Sequence, residues 1–145
     1  MGRMRVALWS LAILSQAVVS PAMAGGAAEP PVPLRCATGS TPAQQAAAAR
    51  LCQDVAQAIT ARYGVQMTQI DPDAPLRDGV VGLEFLTLGD HHISARLTWH
   101  HAGATVSGPV LDLSVSDATE LPASALRNYA GSLVSAANFA LTVAQ

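Results

Sequence analysis

The chain has 145 residues with a formal net charge of −2, and half of its residues are hydrophobic while 12% are charged. It contains no lysine, which excludes a phosphate-binding P-loop, a Ser-x-x-Lys acyl-enzyme and any Schiff-base or pyridoxal site, since each needs that amine. The acidic balance, with scattered arginines and no basic run, lacks the electrostatic footprint of a nucleic-acid binder or of a protein held on an anionic membrane.

Residues 1–24 read as a secretory signal peptide. Arg3 and Arg5 precede an apolar run from Val6 to Val19, and the triplet Ala22-Met23-Ala24 supplies the small side chains that a signal peptidase admits. The run falls short of the ~20 residues a spanning helix needs. Cleavage near Ala24 leaves Gly25 first, without the cysteine that lipid anchoring requires there. The mature chain, Gly25–Gln145, is expected to be periplasmic or secreted, soluble and without a membrane anchor. Its six arginines and ten acids leave a net charge of −4. Arginine without lysine, beside abundant alanine, is the habit of a GC-rich bacterial genome.

Residues 25–40 read as an extended Pro/Gly-rich leader, because Pro30, Pro31 and Pro33 stand in four positions and no periodicity is present. A single globular α+β domain is expected over 41–145. Thr41 as cap, Pro42 at the first helical position and Gln44 as the capping-box partner open a helix that Gly64 stops after Tyr63. Leu51, Val55, Ile59 and Tyr63 form its apolar stripe, and Arg50, Gln53, Asp54 and Gln57 its wet face. Strands are expected over Val65–Ile70, Val80–Leu88, Ile93–His100 and Val110–Ser116, with a second helix opened by Pro122 and carrying Leu126, Tyr129, Leu133 and Ala137 inward.

The order α-β-β-β-β-α with close hairpins predicts a two-layer sandwich, an antiparallel meander with both helices on one face. Glu84, Ser94, Arg96, Thr98, Asp112 and Ser114 belong to the other, wet face. Register follows from parity. Val81, Leu83 and Phe85 must share a face with Ile93, Ala95, Leu97 and Trp99. That requires an odd-length loop around Gly89-Asp90-His91, sets Phe85 opposite Ala95, and brings Glu84 opposite Arg96. Beyond the third strand, a two-residue turn at Ala102-Gly103 sets Val106 against Trp99, facing the core. A bulge at Gly108-Pro109 then restores Leu111 to the core face, and the proline puts this strand at the sheet edge.

Cys36 and Cys52 are expected to be joined, since two cysteines in an oxidising compartment allow one pairing within the chain. The histidines stand as doublets, His91-His92 and His100-His101, and imidazole binds zinc, copper and nickel. The doublets lie about 26 Å apart along one strand, and neighbours on a strand face opposite sides, so neither chelates unaided. They are candidate metal ligands, with Asp90 or another acid helping at one end, but the simpler reading is polar residues at two hairpin turns. Asp71, Asp73 and Asp78 resemble the start of a calcium loop, yet Pro75 and Leu76 occupy the places of its third ligand and its glycine. No serine sits in a Gly-x-Ser-x-Gly turn. Ile70, Val80, Leu86, Leu88 and Val110 interrupt the wet sheet face and make it a candidate contact surface for a periplasmic protein.

The sequence thus leads to an exported, non-enzymatic binding or accessory module, with no cofactor and no nucleic-acid partner. The alternative is a small periplasmic metal-binding protein using a histidine doublet.

Overall fold

A computed structural model describes residues 30–116 and 119–138. The signal peptide read over 1–24 lies outside the described residues. Two helices and a mixed sheet of six strands make an α+β fold, in the order β1 (Val32–Cys36), α1 (Pro42–Tyr63), β2 (Met67–Ile70), β3 (Val81–Leu88), β4 (His92–His101), β5 (Ala104–Ser107), β6 (Leu111–Ser114) and α2 (Ala123–Ala137). The sheet runs β2-β1-β3-β4-β5, and β6 pairs with β4 beyond β5.

The antiparallel meander is therefore corrected. β1 is parallel to both β2 and β3, and only the β3–β4, β4–β5 and β4–β6 pairs are antiparallel. The difference comes from β1, which the proline-rich leader conceals. Pro33 is tolerated between two strands because the β1–β3 ladder begins one residue later, at Leu34 opposite Val81, so its missing N–H forfeits no ladder bond. β1, α1 and β2 then form a parallel crossover unit.

α1 has the boundaries expected of it. Thr41 Oγ1 accepts from the Gln44 N–H at 3.2 Å, and Gly64 closes the helix at φ 70° with its N–H on Thr60 O. The Gln44 side chain reaches back one residue further than in a capping box, accepting from the Ser40 N–H and hydroxyl. Asp54 departs from the wet face assigned to it and is buried, 5% exposed, with Oδ2 3.4 Å from Arg50 Nε. On the same side of α1, Ala47 and Arg50 line a groove with Leu126, and Arg62, two turns on, donates to Ser135. Asp54 thus falls in the seam between the two helices.

Leu51, Val55 and Ile59 of α1 and Leu126, Tyr129, Leu133 and Val134 of α2 share one apolar cluster with Leu34, Val81, Leu83, Ile93, Ala95 and Leu97. The sheet residues alternate along their strands, which is what burial of a single face requires. Tyr129 also ties α2 to the sheet, its hydroxyl donating to Leu111 O at 2.7 Å. Burial of this phenol pushes its pKa up to about 12.

Register around β4 follows the parity argument with one correction. Val81 faces Trp99, Leu83 faces Leu97, Glu84 faces Arg96 and Phe85 faces Ala95, as expected. The register then shifts between Phe85 and Thr87, so that Thr87 faces Ser94 and Leu88 faces Ile93. Leu86 is the extra residue of a bulge, and the Gly89 N–H bonds to His92 O around a two-residue Asp90-His91 turn. The expected odd loop is replaced by an even turn, with the odd residue absorbed inside the strand. One consequence is that Leu88 changes face and packs on the core.

On the other side of β4, Trp99 faces Val106 and Ile93 faces Leu113, numbers whose sums differ by one. The single extra residue lies between Ser107 and Leu111, where the bulge at Gly108-Pro109 was expected. Val106 does not reach the core and is 50% exposed. The last turn of α2 ends over Gly108, where an added Cβ would come within 3.2 Å of Ala137, while Trp99, opposite Val106, is partly buried against the core.

Candidate binding face

The even-numbered residues of β4 project from the sheet face opposite the core cluster, and this outer face divides into a roofed half and an open half. The loop from Asp71 to Gly79 roofs the first. It is tied down by Arg35 Nη1 donating to Ala74 O at 3.1 Å, by the Gly79 N–H on His100 O and by Asp78 Oδ1 accepting from the Gly103 N–H. Beneath it Val80, Gly82 and Thr98 are buried. Gly82 lies opposite Thr98, and a Cβ added there would meet the threonine hydroxyl, which would have to rotate away.

Paired polar side chains fill the open half. Arg96 Nε donates to Glu84 Oε2 at 2.7 Å, across β3 and β4. Ser94 Oγ donates to Asp112 Oδ1 across β4 and β6. His92 Nδ1 lies 2.8 Å from Ser114 Oγ, and its Nε2 lies 3.8 Å from Asp112 Oδ1. At the far end of β4, His100 Nδ1 is 3.0 Å from Thr105 Oγ1. These cross-strand contacts join edge strands β5 and β6 to β4.

Of the five apolar residues assigned to this face, two remain prominent. Leu86, 54% exposed, is the bulged residue beyond Glu84, and Val110, 41% exposed, precedes Asp112 by two positions. Val80 is roofed, Ile70 is half-buried, and the bulge has turned Leu88 inward. The face is also less wet than expected, since Ser94 and Thr98 are 9% and 6% exposed.

The histidine doublets fall at opposite ends of β4, with His91 exposed in the β3–β4 turn and His101 stacked on Trp99 at 4.8 Å. The acid beside His92 is Asp112 of β6, with 3.8 Å between Nε2 and Oδ1. Among the described residues no group of three His, Cys, Asp or Glu side chains that could hold a metal ion occurs. Asp71 Oδ1 accepts from the Asp73 N–H at 2.8 Å and Asp78 serves Gly103, so both carboxylates organise the roof loop. Ser132 bonds back to Asn128 O within α2.

Cys36 and Cys52 form a disulfide with a Cα–Cα distance of 6.0 Å. It joins α1 to β1, a strand formed within the segment that reads in the sequence as an extended leader. Among the described residues no helix is long and apolar enough to cross a membrane. Comparison with protein-family models, with curated proteins and with solved structures finds no match.

The exposed Leu86 and Val110 were visible in the sequence as apolar residues at even positions. Their isolation from Val80 and Leu88 was not, because it depends on the bulge and on the course of the 71–79 loop.

Proposed function

We propose that this chain is an exported bacterial periplasmic protein, a non-enzymatic binding or accessory module that meets a protein partner through the open half of its outer sheet face. The observation that carries the reading is the exposure of two apolar side chains, Leu86 at 54% and Val110 at 41%, each two residues from a polar member of the outer face, Glu84 paired with Arg96 and Asp112 paired with Ser94. Apolar side chains beside polar, hydrogen-bonding ones suit recognition. The mutual pairing of Ser94 with Asp112 and of His92 with Ser114 supports a face that is read by a partner rather than one that performs chemistry.

Export is supported by the tripartite N-terminus and by the Cys36–Cys52 disulfide, a bond that persists in oxidising compartments. The reading includes a two-layer arrangement, with both helices against the sheet face opposite the open one. Its support is the single cluster that joins residues of α1 and α2 to alternate residues of β3 and β4.

The test uses the oxidised mature protein as bait in periplasmic extract of its source, beside a Leu86→Asp/Val110→Asp variant. The wild type should retain a discrete protein that the variant loses, with both baits unfolding at the same midpoint. Equal retention by both baits, or none by either, overturns the assignment.

A further inference from the structure

α2 stops one step short of the end of the sheet. Ala137 lies over Gly108, whose N–H bonds to Leu97 O. Trp99 opposite Val106 is the next pair along the same sheet face, ~7 Å further on. We propose that residues 139–145 lie across this pair, so that Phe139 and Leu141 cover Val106 and the edge of Trp99 and complete the helical layer over the sheet.

The surface to be covered is apolar and belongs to the core face. Trp99 packs in part against the core cluster, Val106 is 50% exposed, and Ala104 is exposed two residues before it. Val106 stands opposite Trp99 and Ala104 opposite His101, so the four share one face. His101 already stacks on Trp99 at 4.8 Å between ring centroids.

The segment that follows α2 suits this surface in pattern, reach and tether. Asn138 ends the helix in the left-handed conformation, at φ 44°. Beyond it the sequence reads Phe139-Ala-Leu-Thr-Val-Ala-Gln145, without a charged side chain and with a large apolar residue at every second position. That period sets Phe139, Leu141 and Val143 on one side of an extended chain, whereas a helix would turn Leu141 away from the other two. Seven extended residues reach ~23 Å, which takes in both Val106 and Ala104 from Ala137. Attachment to α2 also gives the segment an effective concentration in the millimolar range. A second copy or a separate protein would have to exceed that, and this selects residues 139–145 as the occupant.

Two measurements on the oxidised mature protein at micromolar concentration test this. A photoreactive residue at Val106 should join residues 139–143 of its own chain, read by mass spectrometry of the linked peptides. Trp99 is the one tryptophan outside residues 1–24 and reports the same contact by fluorescence. Phe139→Asp/Leu141→Asp should shift Trp99 emission to longer wavelength and raise its quenching by acrylamide, with the far-UV circular dichroism unchanged. Ala140→Asp/Thr142→Asp, on the opposite side of the extended segment, should leave both as in wild type. A Val106 product with a second copy, or none with residues 139–145, overturns the proposal. So does Trp99 emission that the odd-numbered pair of substitutions leaves unchanged, or that the even-numbered pair shifts equally.

Discussion

Glu84 and Arg96 meet across β3 and β4 with 2.7 Å between Oε2 and Nε, on the open sheet face. Both side chains are more than a third exposed, so solvent screens the pair. A double-mutant cycle with Glu84→Gln and Arg96→Gln should give a coupling of about 0.2–1 kcal/mol that shrinks with added salt. Salt-independent coupling above that range would mean that the face is covered in the isolated protein.

The bulge at Leu86 predicts opposite outcomes for two leucines that stand two residues apart. Leu86→Asp should change unfolding free energy by no more than about 0.5 kcal/mol, while Leu88→Asp should cost more than ~2 kcal/mol by placing a carboxylate against the core. Denaturant unfolding of the two variants decides the matter. Comparable costs would restore the even-faced strand without a bulge.

These two leucines also mark how far the sequence could be read. Alternation in β3 and β4 identified which faces were buried, and parity then set Leu83 opposite Leu97 and Glu84 opposite Arg96. Parity counts only the total between two buried residues. It requires one odd residue between Phe85 and Ile93, and a loop and a bulge satisfy it equally well. The same arithmetic located the extra residue at Gly108-Pro109, because proline and glycine mark that place chemically. β1 was hidden for a different reason. A proline in a strand between two others argues against the strand, unless the ladder starts just after it, and the start of the ladder is set by residues some fifty positions away. With β1 missing, the parallel half of the sheet was out of reach. Asp54 was misplaced because the first helix was given one partner, the sheet, when it has two. The disulfide needed only the compartment and the count of cysteines, which is why it could be read without the correct topology.

Tyr129 makes alkaline pH a probe of the α2–sheet contact. Its folded-state pKa of about 12 lies above the ordinary 10, so the neutral phenol is the form the fold favours. The associated stability is fully present below pH ~10 and is lost as pH rises toward about 12, by roughly 2 kcal/mol. Tyr129→Phe should cost about 1 kcal/mol at neutral pH, through loss of the bond to Leu111 O, and should flatten the alkaline decline. A wild-type decline that survives in the Phe variant would assign the effect to another group.

The Cys36–Cys52 bond closes a loop with a sequence separation of 16. Reduction, or a Cys36→Ala/Cys52→Ala variant, should lower unfolding free energy by about 3 kcal/mol if constraint of the unfolded chain dominates. Thiol titration of the native, unreduced protein should find no free thiol, and a reactive pair would contradict the bond.

Site-specific photocrosslinking in intact cells tests the central claim most directly. A photoreactive residue placed at Leu86 or at Val110 should join the protein to the same partner, while one at Arg127, exposed on α2, should not. Absence of a product from both sheet positions, or one formed equally from Arg127, would contradict a partner surface on the open face.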